Sequence, residues 1–301
     1  MTPQQDYQLR ITAADGQLRA FIATSRHTVN QAARIHQTSP VMSAALGRLM
    51  TATVMMGTML KDDKDMITAS IRADGPAGGL IATADRHGHV KGYVGNPQAD
   101  MPKRPDGKLN VGGIIGQGRL TVSKDMGAGE PYNSTVALRS GEIAEDFTYY
   151  FAQSEQIPSA VALGVLVDVD YSIRQSGGLI IQLLPNASEA TISYLEDQLQ
   201  ALGAMTDALE AGNTPEDIAD QLFGQVGYQI LDKTPLSWVC HCSRDKTEKA
   251  LISLGPKDLE EILVEDGKAD VKCHFCTESY HFSAEDLQAL IQRLETPSDQ
   301  A

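Results

Sequence analysis

Polar and apolar residues alternate over 7–12 and again over 18–24, with Asp15-Gly16 between them. Period-two alternation places successive side chains on opposite faces of a pleat, and Asp-Gly accepts the positive φ of a tight turn, so the pair predicts a β-hairpin. The period then changes. Thr28 is the expected cap of a short helix, and Ser39-Pro40 offers a cap and N1 proline for a second. In that second helix Met42, Ala45, Leu46, Leu49, Thr53, Met56 and Leu60 recur at helical spacing. Met50, Val54 and Met55 widen the stripe until a helix over 40–60 is apolar on nearly every side. That pattern predicts a buried core helix, with a promiscuous methionine-lined binding face as the alternative.

Alternation returns over 66–72, 78–83 and 90–94, punctuated by Gly and Pro. Gly116 and Gly118 form a G-x-G, but no third glycine or Lys-Ser/Thr follows and the run enters a strand, so nucleotide binding is rejected. A helix is expected over 141–156, with Ile143, Phe147, Tyr150 and Phe151 on one side. The runs 159–168 and 178–184 are apolar enough for central strands. Residues 1–185 thus read as an α+β domain with mixed sheets and helices, long enough to bury its own core. His27, His36, His87 and His89 lie in it without a nucleophile or paired acid at catalytic spacing, and read as surface or packing residues.

The next stretch differs. Residues 186–232 hold nine acidic side chains and neither Lys nor Arg. Ile192, Leu195, Leu199 and Leu202 make an apolar helical stripe, and Thr214-Pro215-Glu216-Asp217 is a cap, an N1 proline and an acidic first turn. Residues 186–235 therefore read as an acidic helical linker. Its helices are too short to persist without packing, and its like charges lower the margin further. A plain linker and an element that melts easily are both open on this pattern. Residues 236–296 read as a small C-terminal domain, with Ser243 and Ser283 as helix caps and a hairpin around 271–282; 297–301 is a tail.

All four cysteines of the 301-residue chain fall in that small domain, as Cys240-His-Cys242 and Cys273-His-Phe-Cys276. Two close pairs can share one tetrahedral ion, so Cys240, Cys242, Cys273 and Cys276 are the candidate ligands of a single Zn²⁺. His241, His274 and His281 rank behind them, because four thiolates complete the shell. A C-x-C pair held at high density is also oxidisable, since the thiolate is the form that attacks an oxidant. Arg244, Lys246, Lys249 and Lys272 lie close in sequence and would favour that form, or simply be solvated. About sixty residues with a modest core sit near the limit of independent stability, so loss of metal should unfold this domain.

Net charge is −14, which argues against nucleic acid and anionic membrane surfaces as partners. The first six residues have neither a positive start nor an apolar run, unlike a signal peptide. Helix 40–60 carries too many polar side chains for a membrane span. A cytosolic setting, where thiols stay reduced, is expected. No enzyme is expected, since a complete four-sulfur shell has no open position and nothing elsewhere assembles a nucleophile.

The cysteine spacing, with Asn110-Val-Gly-Gly-Ile-Ile-Gly-Gln-Gly118, Tyr132-Asn-Ser-Thr-Val136 and Ser176-Gly-Gly-Leu-Ile-Ile-Gln-Leu-Leu-Pro185, resembles the 33 kDa chaperonin family, the bacterial redox-regulated holdases. The resemblance covers essentially the whole chain. It implies a cytoplasmic, ATP-independent chaperone that binds one zinc per chain when reduced. Oxidation would release the zinc, form the disulfides Cys240–Cys242 and Cys273–Cys276, and loosen the metal domain and the linker. The oxidised protein would bind unfolding client proteins as a homodimer. The rival reading is a constitutive zinc-ribbon interaction protein whose metal is only structural. C-x-C favours the first, because structural ribbons more often use two C-x-x-C knuckles.

Overall fold

The Asp15-Gly16 turn closes the expected hairpin, with Ala14, Asp15 and Gly16 all at positive φ (51°, 50° and 79°). Glycine takes the largest of these without steric cost. The structure, a computed structural model, describes residues 5–127 and 129–295; the tail expected at 297–301 lies outside them. The fold is mixed α+β, and the chain divides into two compact units between Val239 and Cys240.

The first unit begins with β1 (Tyr7–Ala13), β2 (Leu18–Thr24), α1 (Arg26–His36), α2 (Pro40–Gly57), β3 (Met66–Ala73), β4 (Leu80–Asp85), β5 (His89–Val94) and α3 (Val111–Ile115). It continues with β6 (Gly118–Asp125), β7 (Tyr132–Ala137), α4 (Ala144–Tyr150), a π-helical turn at Phe151–Glu155, β8 (Ser159–Val167) and β9 (Ile173–Leu183). It ends with α5 (Glu189–Leu202), α6 (Met205–Glu210), α7 (Pro215–Phe223), β10 (Tyr228–Pro235) and β11 (Ser237–Trp238). One sheet is antiparallel in the order β10-β1-β2-β9-β8. The second runs β11-β5-β4-β3-β6-β7, with only the short β11–β5 pair parallel.

α2 packs on strands of both sheets, and every residue in it except Pro40 and Arg48 is buried. The methionine stripe is therefore core, not an exposed binding face: Met42, Met50 and Met55 are fully buried. The polar residues are satisfied locally. Thr51 and Thr53 donate to the carbonyls one turn back, at 2.8 and 2.7 Å, and Arg48 reaches Glu142 at 2.6 Å. Ser39 caps α2 as expected, its Oγ accepting from the Met42 N–H at 3.3 Å. Thr28 does not cap α1. It lies inside the first turn, and its N–H and Oγ both donate to Asp6 Oδ2 at 2.7 Å, so a carboxylate just before β1 supplies the acceptor.

Other differences have plain causes. The run at 111–115 is a short helix, capped by the Asn110 side chain, before β6 begins at Gly118. β8 is an edge strand and not a central one; its apolar sequence reflects cover from α2, α4 and α6. Within 186–235, helices α5, α6 and α7 bury Leu195, Leu202, Met205, Leu209, Ile218, Leu222 and Phe223 against β1, β2 and β9. The rest of that segment is a strand. β10 pairs with β1, and a bulge opposite Arg10/Ile11 leaves Leu231 without a partner in the register, which breaks the alternation a strand normally shows. Cations from outside 186–232 compensate part of its charge: Lys233 reaches Glu216 at 2.8 Å, and Arg174 pairs with Glu210.

The second unit holds α8 (Arg244–Ile252), α9 (Pro256–Glu265), β12 (Ala269–Lys272), β13 (Ser279–Phe282) and α10 (Ala284–Glu295). Ser243 caps α8, and Ser283 and Asp286 cap α10 reciprocally. Among the described residues, six apolar side chains are buried in its core: Leu251, Leu259, Phe282, Leu287, Leu290 and Ile291.

The packing of α7 yields a prediction. Phe223 is fully buried between α7 and the first sheet. Phe223→Ala should cost about 3–5 kcal/mol in chemical denaturation of the first unit and open 186–227 to protease. Unchanged denaturation and cleavage would mean that these helices contribute little to it.

Candidate metal centre

Local structure brings the two cysteine pairs together within the second unit. Cys240 and Cys242 lie just before α8, while Cys273 and Cys276 form the turn between β12 and β13. That turn is fixed by backbone bonds: the Cys273 N–H donates to the Glu278 carbonyl at 2.8 Å and the Thr277 N–H to the Cys273 carbonyl at 2.9 Å. Arg244 holds the α8 start against β13. Its guanidinium lies 4.3 Å above the Phe282 ring centroid, donates to the His281 carbonyl at 2.6 Å and pairs with Asp286 at 2.8 Å.

The four sulfurs lie within 4.8 Å of one another, and all four side chains are half-buried. Cys240 and Cys273 are 3.8 Å apart, and Cys242 and Cys276 are 3.2 Å apart. Both separations far exceed the ~2.05 Å of a disulfide, so these are free thiols. Tetrahedral ligands about 2.3 Å from a shared ion stand about 3.8 Å apart, so the donor set fits a four-coordinate, sulfur-preferring metal such as zinc.

The thiols are electrostatically unequal. Burial raises Cys273, but the N–H groups of Cys276 and Phe275 and the neighbouring thiols overcome it and pull it down to about 7. Burial and the surrounding thiols push Cys276 up to about 12. Tyr280 donates to Cys242 Sγ at 3.2 Å. The support at Cys273 thus comes from backbone amides, a contribution that residue type alone did not disclose. Among the cations expected to help, Arg244 is committed to Asp286 and Phe282.

The histidines divide. His281 Nδ1 faces Asp270 Oδ1 at 2.7 Å across the β12–β13 ladder, and the sulfur cluster is complete without it. In the first unit His87 meets Asp63 at 3.1 Å, His89 meets Asp85 at 2.9 Å, and His36 meets the Gly92 carbonyl at 3.0 Å.

Residues 6–283 match the model of the Hsp33 protein family. The chain belongs to the Hsp33 family. Among its Hsp33 relatives, the 33 kDa chaperonin of Agathobacter rectalis is 50% identical over 285 residues, covering 95% of this chain and 99% of the relative. The 33 kDa chaperonin of Clostridioides difficile is 48% identical over 291 residues, covering 96% and 100%. The crystal structure of the 33 kDa chaperonin from Thermotoga maritima has a TM-score of 0.86 at 33% identity, covering 97% of this chain and 99% of that one. Hsp33 is a chaperone family, and the four cysteines are this member's cluster of metal-capable side chains in the second unit.

Phe282 joins that cluster to the small core. It is fully buried, carries Arg244 on its ring, and ends the strand that bears Tyr280. Phe282→Ala should cost about 3–5 kcal/mol, about all that a core of this size supplies. The expected result is loss of α8–α10 signals in amide exchange while the first unit keeps its protection. Equal loss in both units would contradict the division at Val239/Cys240.

Proposed function

We propose that the chain is an ATP-independent holdase, poor in its reduced, zinc-bound form and switched on by oxidation of Cys240, Cys242, Cys273 and Cys276 with zinc release. The observation that carries the reading is four free thiols within 4.8 Å of one another inside a unit whose own core has six buried side chains. Zinc bound there would keep four thiolates together and staple the unit. Binding of this kind is worth about 10–16 kcal/mol, against the about 3–5 kcal/mol of so small a core.

The thiols would do the redox chemistry. A thiolate attacks peroxide to give a sulfenic acid and hydroxide; a neighbouring thiolate then attacks that sulfur, forming the disulfide and releasing a second hydroxide. Each pair thus consumes one peroxide and loses two ligand charges. Cys273, held as the better thiolate by two amide donors, is the expected first nucleophile. All six sulfur–sulfur distances fall within 4.8 Å, so proximity alone leaves all three pairings within reach. The family resemblance favours Cys240–Cys242 and Cys273–Cys276.

Under the same reading the oxidised protein is a cytoplasmic homodimer that binds unfolded or aggregation-prone clients, and 186–235 loosens with the metal unit. The short helices of that segment support this, because they depend on packing to persist. The charge of −14 supports protein clients over nucleic acid, and among the described residues no helix is long and apolar enough to cross a membrane.

Two measurements test the proposal. Peroxide treatment at mildly elevated temperature should release one equivalent of zinc as suppression of client aggregation appears in light scattering, both reversed by dithiothreitol. Zinc that stays bound, or leaves without any holdase activity, would favour the constitutive interaction protein. Separately, Cys240→Ser or Cys276→Ser should weaken zinc binding and destabilise the C-terminal unit while the first unit stays folded by circular dichroism and proteolysis. Collapse of the whole chain from one ligand change would sink the modular reading.

A further inference from the structure

Strand alternation puts one cation where an apolar residue is expected. On β2, Leu18, Ala20 and Ile22 face the core made with α5–α7, while Phe21 and Ala23 face the core around α2. Arg19 shares the face of Phe21. Its ladder partner on β9 is Gln182, only 1% exposed, and Arg19 Nε and Nη2 both donate to Gln182 Oε1 at 3.0 and 2.5 Å. Two of the five guanidinium N–H donors are used there and three remain. Among the described residues no carboxylate lies within ion-pairing distance of Arg19. Burial, then the nearby Arg10, hold its pKa below the ordinary value, so its charge is under-compensated.

Arg19 opens onto a cavity of about 310 Å³ at the margin of the first unit's core, between the two sheets. That volume is at the lower end of the ~300–1,000 Å³ typical of small-molecule sites. Met56 and Met59, at and just beyond the end of α2, line it together with Phe151. The second sheet contributes Ile67 and Lys124, which face each other across the β3–β6 ladder. Lys124 is already neutralised: its Nζ is 2.7 Å from Glu155, which also accepts from Tyr150 Oη at 2.5 Å. With Lys61, the lining carries three cations and one carboxylate, in a chain whose net charge is −14.

We propose that this cavity binds a small amphiphilic anion, a monomeric linear alkyl carboxylate, with its head on Arg19 and its tail along Met56, Met59 and Phe151. A guanidinium with three spare donors accommodates a carboxylate in bidentate fashion, and methionines adapt to an unbranched chain. With Lys124 paired to Glu155, Arg19 and Lys61 leave the lining net positive, which matches a negatively charged head. A cationic amphiphile would meet repulsion from Arg19 and Lys61, and Glu155 is already occupied by two donors. This inference goes beyond the thiol switch and does not depend on it.

The test uses the reduced full-length chain with methyl-labelled methionine, titrated with decanoate below its self-association concentration. Decanol and decyltrimethylammonium serve as neutral and cationic controls. Decanoate should bind saturably at one per chain and shift Met56, Met59 and Met126, the methionines that line the cavity. Arg19→Gln should weaken binding at least tenfold. Met126 is 51% exposed at the mouth, so Met126→Glu adds a repelling charge with little risk to folding and should also weaken binding at least tenfold. Decanol binding as tightly as decanoate, shifts at other methionines, indifference to both variants, or no saturable binding would each overturn the proposal.

Discussion

Four sulfurs within 4.8 Å of one another cannot all carry charge unless a cation shares the space. Mutual repulsion and partial burial both oppose ionisation. The inequality between Cys273, drawn down to about 7, and Cys276, driven up to about 12, is that conflict expressed in the thiols themselves. An ion in the cluster would remove the conflict and add a staple. Oxidation would remove it the other way, by abolishing the charges. These outcomes are mutually exclusive for the same sulfurs, which is why one small cluster can serve as a switch between two states of a domain.

The first unit answers a different demand. Its five-stranded sheet is covered on both faces, by α2 on one and by α5–α7 on the other, and α2 is buried on all sides. A helix so enclosed has no solvent for its polar groups, so Thr51 and Thr53 turn back onto their own helix. The acidic segment is held by the apolar faces of three short helices. Its exposed ion pairs, such as Lys233 with Glu216, add little to that. Charge that looked uncompensated along the sequence therefore costs less than its local density suggests, and packing decides whether the segment stays ordered.

Much of this was legible because it is local. The Asp15-Gly16 hairpin, the Ser39-Pro40 start of α2, the caps at Ser243 and Ser283, and the clustering of four cysteines each depend on residues a few positions apart. What was not legible depends on distant partners. β10 reads as linker because its bulge at Leu231 spoils the alternation and because only pairing with β1, more than two hundred residues earlier, makes it a strand. Asp6 caps α1 from the segment just before β1, a role that Thr28 fitted better by spacing. β8 is apolar like a central strand because three helices cover it, although it lies at the edge. In the metal centre the identity of the cluster was visible in the spacing. The inequality of the thiols was not, because it arises from burial, thiol–thiol hydrogen bonds and backbone N–H groups that only the folded turn brings together.

The position of the unit boundary sets what the sulfur chemistry can reach. All four cysteines lie on one side of Val239/Cys240, in the unit whose described core holds six buried apolar side chains, so breaking the cluster withdraws support from that core. The large cores around α2 and behind the first sheet contain no thiol. Under the proposed switch, activity on oxidation would come from apolar surface released where packing is thinnest. Two places qualify: the second unit itself, and the short helices α6 and α7, whose buried faces are Met205, Leu209, Ile218, Leu222 and Phe223. The deep core, which holds most of the apolar surface, is too well enclosed to take part, and its permanence would let the protein refold once the thiols are restored.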